Sequence, residues 1–334
     1  MKYFSAFTGV GGFDLGMPQD WECVGHSEIN KYANMILKYR FKEVKNYGDI
    51  EKINWKGVPD FDMFVGGTPC QDLSIAGKRT GLNGSRSRLF FEFIRTLKEK
   101  KPRYFIWENV KGTLSSNGGW DFARVLTEFS EAGYSIWWQV LDATWFGIPQ
   151  HRERVFVVGS LGTESPIKVL FKPRKDRTFN EKQEQKTQRI NTIYNDRKQV
   201  NRIYGIDGIS PTLHRHTGGG QITKIAVPVL TPKRLEKRQN GRRFKENGDP
   251  AFTIINHDRN GIFDGKSIRT ITPLESERLM GWPDDWTKYG IDFKGNTVEL
   301  SDNARYNLIG NGVVPQVVKG IIQLININRS ENKL

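Results

Sequence analysis

Cys70, one of only two cysteines in the chain, lies in a segment that could support nucleophilic chemistry. It follows Gly66-Gly67-Thr68-Pro69, and the apolar run 61–65 before them is predicted to be a buried strand. Open α/β sheets bind ligands at the carboxyl ends of their strands, and a proline restricts the backbone next to the thiol. Cys70 is therefore a candidate nucleophile, with a buried structural thiol as the alternative. Cys23, inside an apolar strand, fits that alternative.

Charged side chains occupy the ends of two further predicted strands. Glu108 follows the apolar run 103–107, and Arg152 and Arg154 precede the apolar run 155–159. A thiol, a carboxylic acid and arginines at neighbouring strand ends suggest covalent attack on an electron-poor ring. In such a reaction the acid would protonate a ring nitrogen.

A glycine-rich turn after the first predicted strand is a candidate nucleoside pocket. Residues 7–12, FTGVGG, allow the backbone to turn sharply and to approach a ligand closely. Glu28 ends the second predicted strand, where a carboxylate can accept hydrogen bonds from a ribose, and Asp49 lies near a third strand end. Asp14 stands where the dinucleotide fingerprint requires its third glycine, so a dehydrogenase is not indicated. An ordinary tight βα turn is the alternative.

These residues require a sheet to hold them, and the first half of the chain predicts one. Strands are expected at 2–6, 23–27, 61–65, 103–107, 136–142 and 155–159, with helices at 31–39, 89–100 and 121–131. Alternating strands and helices indicate an α/β fold. From about residue 165 the sequence is polar and irregular, which predicts a second domain.

Charge and composition restrict the function classes. The net charge is +14; residues 168–202 contain 11 Lys/Arg against 4 Asp/Glu, and residues 233–245 contain 7 against 1. Two basic stretches favour a polyanion as partner over a merely solvated face. No membrane span or signal peptide is predicted, and two cysteines in 334 residues indicate a reducing, cytoplasmic compartment.

Six motifs occur in the order found in the DNA cytosine-5 methyltransferases of bacterial or phage restriction-modification type. They are FTGVGG, GGTPCQDLS, ENV, QHRERVFVVG, ITPLESERLMGWPDDW and YNLIGNGVVPQVV. The chain resembles that family over residues 1–160 and about 269–320. The resemblance implies an α/β, Rossmann-like S-adenosylmethionine-dependent sheet with helices on both faces, plus a smaller, irregular target-recognition domain.

The same resemblance implies domain bounds. The catalytic and cofactor-binding domain is expected at 1–163 and 304–334, the target-recognition domain at 164–289 and a hinge at 290–303. The enzyme would methylate C5 of a flipped-out cytosine in a short double-stranded DNA sequence. No metal is expected.

Catalytic roles follow residue by residue. The resemblance implies that Cys70 attacks cytosine C6, that Glu108 holds N3 protonated and that Arg154 contacts the O2 edge. Arg152 is expected to assist. The residues expected to bind S-adenosylmethionine are Phe7, Gly9, Gly11, Glu28, Ile29, Asp49, Ile50, Pro69, Leu89 and Asn311. Two positions depart from the common pattern: Ile29, where an aromatic residue is frequent, and Thr68, where proline or phenylalanine is frequent.

DNA contacts are expected mainly from a loop after Cys70 and from the target-recognition domain. The candidates are Gln71, Ser74, Lys78, Arg79, Arg86, Thr212, Arg215 and Thr253. Family members carry a Thr-Leu or similar pair near the flipped nucleotide, and Thr212-Leu213 is favoured slightly over Thr253-Ile254. A monomer that is nucleoid-associated and paired functionally with a restriction endonuclease is expected. A tRNA methyltransferase of the same fold and a non-catalytic DNA-binding regulator are the alternatives.

Overall fold

The computed structural model describes residues 1–69, 88–162 and 268–331, with short pieces between the last two ranges. These pieces are 165–167, 170–171, 203–204, 224–225, 227–230, 245, 249–255 and 260–263. Several predicted site residues lie outside the described residues: Cys70, Gln71, Ser74, Lys78, Arg79, Arg86, Thr212 and Arg215.

Six strands form the main sheet. They are β1 (Lys2–Ala6), β2 (Glu22–Ser27), β3 (Met63–Gly67), β4 (Tyr104–Val110), β5 (Tyr134–Asp142) and β6 (Glu153–Leu161). Their spatial order is β2-β1-β3-β4-β6-β5. The strands β1 to β4 are parallel to one another, whereas β6 runs antiparallel to both of its neighbours, β4 and β5. The carboxyl ends of β1 to β4 and the beginning of β6 therefore share one edge.

Helices flank this sheet, and short strands follow it in the chain. The helices are α1 (Gly12–Gly16), α2 (Lys31–Arg40), α3 (Arg88–Lys100), α4 (Trp120–Glu131), α5 (Pro273–Leu279), α6 (Asp302–Gly310) and α7 (Pro315–Glu331). The short strands are β7 (Ile203–Tyr204), β8 (Lys224–Ile225), β9 (Val227–Leu230), β10 (Asn260–Phe263), β11 (Ile268–Thr270), β12 (Tyr289–Ile291) and β13 (Thr297–Glu299). Three of them form a small antiparallel sheet in the order β11-β10-β9.

The core divides into two layers because successive strand residues face opposite sides of the sheet. Phe64 and Phe105 pack with the apolar faces of α3 and α4, which contribute residues such as Phe93 and Phe129. Met63 and the other alternate positions pack with α1, α2 and α7 on the opposite side. The predicted α/β fold with helices on both faces is confirmed.

The chain after residue 272 packs against elements from the first half of the sequence. Arg40, at the end of α2, donates hydrogen bonds to the carbonyl oxygens of Asp285 and Trp286 at 2.6 and 3.0 Å. Trp286 Nε1 donates to the carbonyl oxygen of Val10 at 2.8 Å. This segment therefore supports the turn that follows β1.

The stretch from Asp302 to Ile325, which spans α6 and most of α7, is long and apolar enough to cross a membrane by length and composition alone. However, 61% of its most apolar window is buried inside the protein. Val318 and Ile321 lie in the core layer with Phe13 of α1. The apolar character of this stretch is therefore explained by packing against the sheet.

Candidate active site

The sheet register brings together residues that the sequence places at strand ends. Gly67 on β3 pairs with Glu108 on β4, and Val110 on β4 pairs with Arg154 on β6. β6 delivers Arg154 to this edge at its beginning because it runs antiparallel to β4. The predicted acid and one predicted arginine therefore meet at the edge where β3 ends.

Gly67 permits a close approach between two strands. A Cβ atom added to Gly67 would lie 2.7 Å from Glu108 Oε2, and one added to Gly66 would lie 2.7 Å from the carbonyl oxygen of Ala6. Carbon and oxygen atoms do not approach so closely without displacement. The glycine pair is therefore needed for β3 to fit between its neighbours and for the Glu108 carboxylate to lie over its backbone.

Thr68 anchors the end of β3 to β4. Its buried hydroxyl oxygen accepts a hydrogen bond from Trp107 Nε1 at 3.0 Å and another from Asn109 Nδ2 at 3.5 Å. Asn109 Oδ1 in turn accepts from the Thr113 hydroxyl at 2.6 Å. Proline and phenylalanine lack such a hydroxyl acceptor. The departure at Thr68 thus has a structural role one residue before Pro69.

The residues that flank segment 70–87 differ in exposure. Pro69 is exposed, whereas Leu89 is half-buried and packs against the core layer that contains α3. Arg88 Nε lies 2.7 Å from Glu51 Oε1. Leu89 therefore helps to fix the start of α3, and its expected contact with the cofactor stays a prediction.

Glu108 and Arg154 form an ion pair at the sheet edge. Arg154 Nε lies 3.1 Å from Glu108 Oε1, and each side chain is about one-sixth exposed. Burial raises the pKa of the Glu108 carboxyl; the charges of Arg154 and Arg152 oppose this shift without cancelling it. A carboxyl group with a raised pKa is suited to hold a proton for a bound heterocycle.

A cavity of about 450 Å³ opens beside this ion pair. The cavity, called the edge cavity below, is lined by Lys111, Asp142, His151, Glu153, Arg154 and Thr253. Lys111 Nζ lies 2.9 Å from Glu153 Oε2. The volume of the edge cavity falls within the range of small-molecule sites, and the polar lining of the cavity suits a flat polar heterocycle.

His151 and Asp142 in the edge cavity were missed as site residues from the sequence. Asp142 Oδ2 lies 2.8 Å from His151 Nδ1, and Asp142 Oδ1 accepts hydrogen bonds from the backbone and hydroxyl of Thr144 at 2.9 Å. Burial alone would raise the pKa of Asp142, but these hydrogen bonds hold it below its usual range. The charged carboxylate therefore orients an exposed imidazole. The QHRER motif was the available signal, because His151 lies inside it.

Thr253 is the one of the two candidate threonines that the structure describes, and it lines the edge cavity. Its hydroxyl donates to the carbonyl oxygen of His151 at 2.5 Å. The backbone N–H of His151 donates to the carbonyl oxygen of Ala251 at 3.1 Å. Segment 251–254 therefore lies along the residues that lead into β6.

Arg152 is only 3% exposed and its hydrogen bonds go to the backbone. Nη1 donates to the carbonyl oxygen of Ile254 at 2.8 Å, and Nη2 donates to those of Gly310 and Gly312 at 3.0 and 2.7 Å. Burial and the neighbouring Arg154 lower its pKa, while Glu108 raises it. The side chain thus joins three segments of the chain, and its expected help in catalysis stays a prediction.

The turn formed by residues 7–12, called the glycine turn below, contains three residues at positive φ. Phe7, Gly9 and Gly11 have φ values of 51°, 58° and 86°. Glu28 Oε2 accepts a hydrogen bond from the Gly9 N–H at 2.7 Å, and Oε1 accepts from the Asn30 N–H at 2.6 Å. These bonds fix the carboxylate beside the turn, and burial raises its pKa.

A buried polar cluster behind the glycine turn was also missed. Asp14 Oδ1 accepts from the Tyr3 hydroxyl at 3.0 Å and lies 2.9 Å from His26 Nε2. Burial alone would raise the pKa of Asp14, but His26 and the hydrogen bonds hold it below its usual range. Cys23 offers a third possible ligand atom for a metal. However, burial raises the pKa of its thiol, which disfavours the thiolate that would bind a metal, so we interpret the cluster as a brace.

The residues predicted to hold the adenine part of the cofactor differ in the exposure of their side chains. Ile29 is 72% exposed, which leaves an apolar surface next to Glu28. Asp49 Oδ1 accepts from the Glu51 N–H at 3.1 Å and so begins a 3-10 turn. Ile50 is 3% exposed and packs in the core layer with α3. Ile50 therefore offers backbone groups, not its side chain, to a ligand.

Asn311 belongs to a segment that contacts the glycine turn through Val313. A Cβ atom added to Gly12 would lie 2.9 Å from the carbonyl oxygen of Val313, so the two backbones are in direct contact. Trp282 Nε1 donates to the same carbonyl at 3.0 Å. Asn311 itself is exposed. The segment that contains Asn311 therefore lies beside the turn, and the expected contact of Asn311 with the cofactor stays a prediction.

S-adenosylmethionine fits the residues around the glycine turn. An added Cβ atom at Gly9 or Gly48 would meet nothing within 4 Å among the described residues, so space is open on this side. The oriented Glu28 carboxylate can accept from ribose hydroxyls, and the exposed Ile29 can cover an adenine face. The donors and surfaces present therefore match a nucleoside.

The known proteins with similar sequences and structures that we compared are all described as methyltransferases. The chain is 32% identical to the orphan methyltransferase M.SPRI of Bacillus phage SPR, over 97% of each chain. It is 31% identical to the type II methyltransferase M.BsuFI of Bacillus subtilis, over 96% of this chain and 71% of that protein. A putative DNA modification methyltransferase from an E. coli prophage matches the fold with a TM-score of 0.60 at 20% identity, over 98% of this chain and 99% of its own.

A family model agrees with these similarities. The model of the C-5 cytosine-specific DNA methylases matches residues 1–326 of the 334-residue chain. The six motifs, the sheet and the Glu108–Arg154 pair at its edge fall inside this match. The chain therefore belongs to the C-5 cytosine-specific DNA methylase family.

Proposed function

We propose that this enzyme methylates C5 of a flipped-out cytosine within one short double-stranded DNA sequence, with Cys70 as the nucleophile. The observation that carries the proposal is the Glu108–Arg154 pair at 3.1 Å, beside a cavity of about 450 Å³. A base inside a duplex does not expose C5 and C6, so it must leave the stack to reach such a cavity.

Cys70 follows Pro69 directly in the sequence and lies outside the described residues. In the proposed reaction its thiolate forms a bond to C6, which places electron density on C5. Glu108 holds a proton at N3, and its raised pKa favours that protonated state. Arg154 donates to O2, which stabilises the charge that develops on the ring. After C5 has been methylated, loss of the C5 proton breaks the C6–S bond and releases Cys70.

S-adenosylmethionine supplies the electrophilic methyl group. The glycine turn, Glu28 and Ile29 would hold its nucleoside part, with Asp49, backbone groups of Ile50 and the segment around Asn311. Pro69 and Leu89 are further proposed contacts. No residue is assigned to a metal in this scheme.

Thr253 is proposed as the threonine of the family's Thr-Leu pair, in preference to Thr212. Thr253 lines the edge cavity beside Arg154, and Ile254 follows it where the family has leucine. Thr212 lies outside the described residues. The basic stretches 168–202 and 233–245 would neutralise DNA phosphates, which makes binding strongly dependent on salt.

The decisive experiment is bisulfite sequencing of plasmid DNA from a host that expresses the chain. We expect 5-methylcytosine at one short motif, and none in a host that expresses Cys70→Ser. Duplexes of that motif with 5-fluorocytosine at the target position should form a covalent adduct with the wild-type protein and none with Cys70→Ser. Unmodified plasmid from a host that contains folded wild-type protein would refute the proposal.

Further experiments test the remaining proposals. A labelled-methyl assay with duplex DNA and total tRNA side by side should label only the DNA, and labelled tRNA would favour the alternative substrate.

We also propose that the enzyme acts in the cytoplasm and that it is a monomer. Light scattering with and without DNA tests whether it is a monomer. Functional pairing with a restriction endonuclease predicts that modified plasmid resists a nuclease of the same specificity.

A further inference from the structure

Three distant segments of the chain meet at the residues that lead into β6. They are segment 251–254, which carries Thr253, the end of α5 at Leu279, and segment 310–313, which contacts the glycine turn. Two buried side chains, Gln150 and Arg152, make the connections. This junction links the edge cavity with the cofactor side of the molecule.

Gln150 and Arg152 bind both backbone polar groups of Ile254. Gln150 Oε1 accepts from the Ile254 N–H at 2.9 Å, and Arg152 Nη1 donates to the Ile254 carbonyl oxygen at 2.8 Å. Gln150 Nε2 also donates to the carbonyl oxygen of Leu279 at 2.8 Å. These hydrogen bonds hold the backbone of Ile254, and they thereby fix the position of the preceding residue, Thr253, in the edge cavity.

The second terminal nitrogen of the Arg152 guanidinium binds the segment beside the glycine turn. Nη2 donates to the carbonyl oxygens of Gly310 and Gly312, which flank Asn311. The next residue, Val313, lies against the backbone of Gly12 in the glycine turn. One planar group therefore touches the segment beside the edge cavity and the segment beside the glycine turn.

Arginine is required for this arrangement. Its rigid fork presents several donors in fixed directions, whereas the single ammonium group of lysine cannot reach two segments with the same geometry. All the hydrogen bonds of Arg152 described above go to carbonyl oxygens, and among the described residues its Nε has no partner. A buried charge that serves only backbone carbonyls indicates a positioning role.

We propose that Arg152 is a positioning residue that couples the target-base side to the cofactor side, by holding Thr253-Ile254 and Gly310–Gly312 in one arrangement. The inference rests on the proposed function. Binding of cofactor orders segment 310–313 and, through Arg152, segment 251–254, so each ligand strengthens binding of the other. Such coupling is reciprocal by thermodynamic necessity.

The test measures this coupling directly. Fluorescence anisotropy gives the affinity for a duplex that contains the motif found by bisulfite sequencing, with and without S-adenosylhomocysteine, and calorimetry gives the reverse titration. For wild type we expect each ligand to tighten the other by the same factor, about 5- to 150-fold. In Arg152→Lys that factor should fall close to one, while both ligands still bind.

Arg305→Lys is the matched control, because Arg305 is also buried but bonds Glu277 and Thr287 instead. It should keep the wild-type coupling factor even where it lowers the melting temperature. A wild-type factor in Arg152→Lys, or a factor of one in wild type, would overturn the inference. Failure of wild type to bind either ligand would instead refute the proposed function.

A second measurement needs no variant and covers the case in which Arg152→Lys does not fold. In hydrogen–deuterium exchange of the wild-type protein, S-adenosylhomocysteine should slow exchange in peptides that contain residues 251–254. Duplex DNA should slow exchange in peptides that contain residues 310–313. The inference would be overturned if S-adenosylhomocysteine protected residues 310–313 but not 251–254, and DNA protected residues 251–254 but not 310–313.

Discussion

Two glutamate–arginine pairs in this protein have the same chemistry and different surroundings. Glu277 is fully buried, and its Oε1 accepts hydrogen bonds from Arg305 Nη2 at 3.1 Å and from the Thr287 N–H at 2.8 Å. Glu108 contacts Arg154 at 3.1 Å, and Arg154 lines the edge cavity. The first pair is enclosed by its partners, whereas the second is left available to a ligand.

The difference shows how one interaction serves two purposes. An enclosed ion pair loses much stability when one partner is removed, because the other charge stays buried without compensation. In the proposed reaction the pair at the cavity exchanges partners, because a bound base would replace the contact between Glu108 and Arg154. We therefore expect changes at Glu277 to affect folding and changes at Glu108 to affect catalysis.

Glu108→Gln should have the largest effect, on rate. Glutamine keeps the size of the side chain but cannot supply the proton at N3, so single-turnover methylation should slow by about 10²- to 10⁴-fold. Thermal unfolding should change much less than in Glu277→Gln. Glu153→Gln, in the edge cavity and paired with exposed Lys111, is the control and should stay within a few-fold of wild type. A Glu108→Gln enzyme with the wild-type rate would contradict the assigned role.

Glu277→Gln should have the next largest effect, on stability. Loss of the carboxylate leaves Arg305 buried without its nearest counter-charge, which we expect to lower the free energy of unfolding by about 3 to 5 kcal/mol. Urea unfolding followed by fluorescence measures this change. Glu299→Gln, at an exposed position on β13, should leave it unchanged. If the folded fraction of Glu277→Gln also lost methylation, the contrast between the two pairs would break down.

Thr68→Val sharpens the comparison at a position next to the Glu108 site. Valine matches the shape of threonine but leaves the buried Trp107 Nε1 without its acceptor, at a cost of about 1 to 3 kcal/mol. Urea unfolding should show this loss, and Thr68→Ser should recover most of it. Equal stability of the valine and serine variants would mean that the hydroxyl does not tie β3 to β4.

The pH dependence of folding should show a smaller effect that is specific to Glu108. Because burial raises the pKa of Glu108 in the folded state, the folded protein retains this proton at pH values where the unfolded chain has lost it. Its contribution to stability is full below the ordinary glutamate pKa, and is lost as pH rises through the raised value. Stability of wild type relative to Glu108→Gln should therefore fall with rising pH. A constant difference from pH 4 to 8 would contradict the raised pKa.

Much of this site could be predicted because parallel strands deliver their last residues to one edge. That rule places Gly67 and Glu108 together, and the motif order identifies Arg154 beside them. The strands of the main sheet were also predictable, since each is a short apolar run bounded by turn residues. The glycine turn and Glu28 follow from the same logic at β1 and β2.

Other features depend on contacts between side chains from distant parts of the chain. The sequence indicates Arg152 as a helper in catalysis, yet its hydrogen bonds reach Ile254 and Gly310, which no local pattern encodes. Ile50 is expected at the cofactor, and the burial of its side chain could not be predicted, because periodicity does not show which side of a short turn is covered. The Asp14–His26 contact likewise depends on the pairing of β1 with β2.

The contact between Gly12 and Val313 has a consequence for the synthesis of this enzyme. A ribosome delivers the turn that follows β1 long before it delivers the backbone that covers this turn. The nascent chain therefore carries the residues of its base chemistry long before it can complete its cofactor side. A product that stops anywhere before α6 should not transfer methyl groups, so only chains that extend through segment 310–313 gain the ability to methylate DNA.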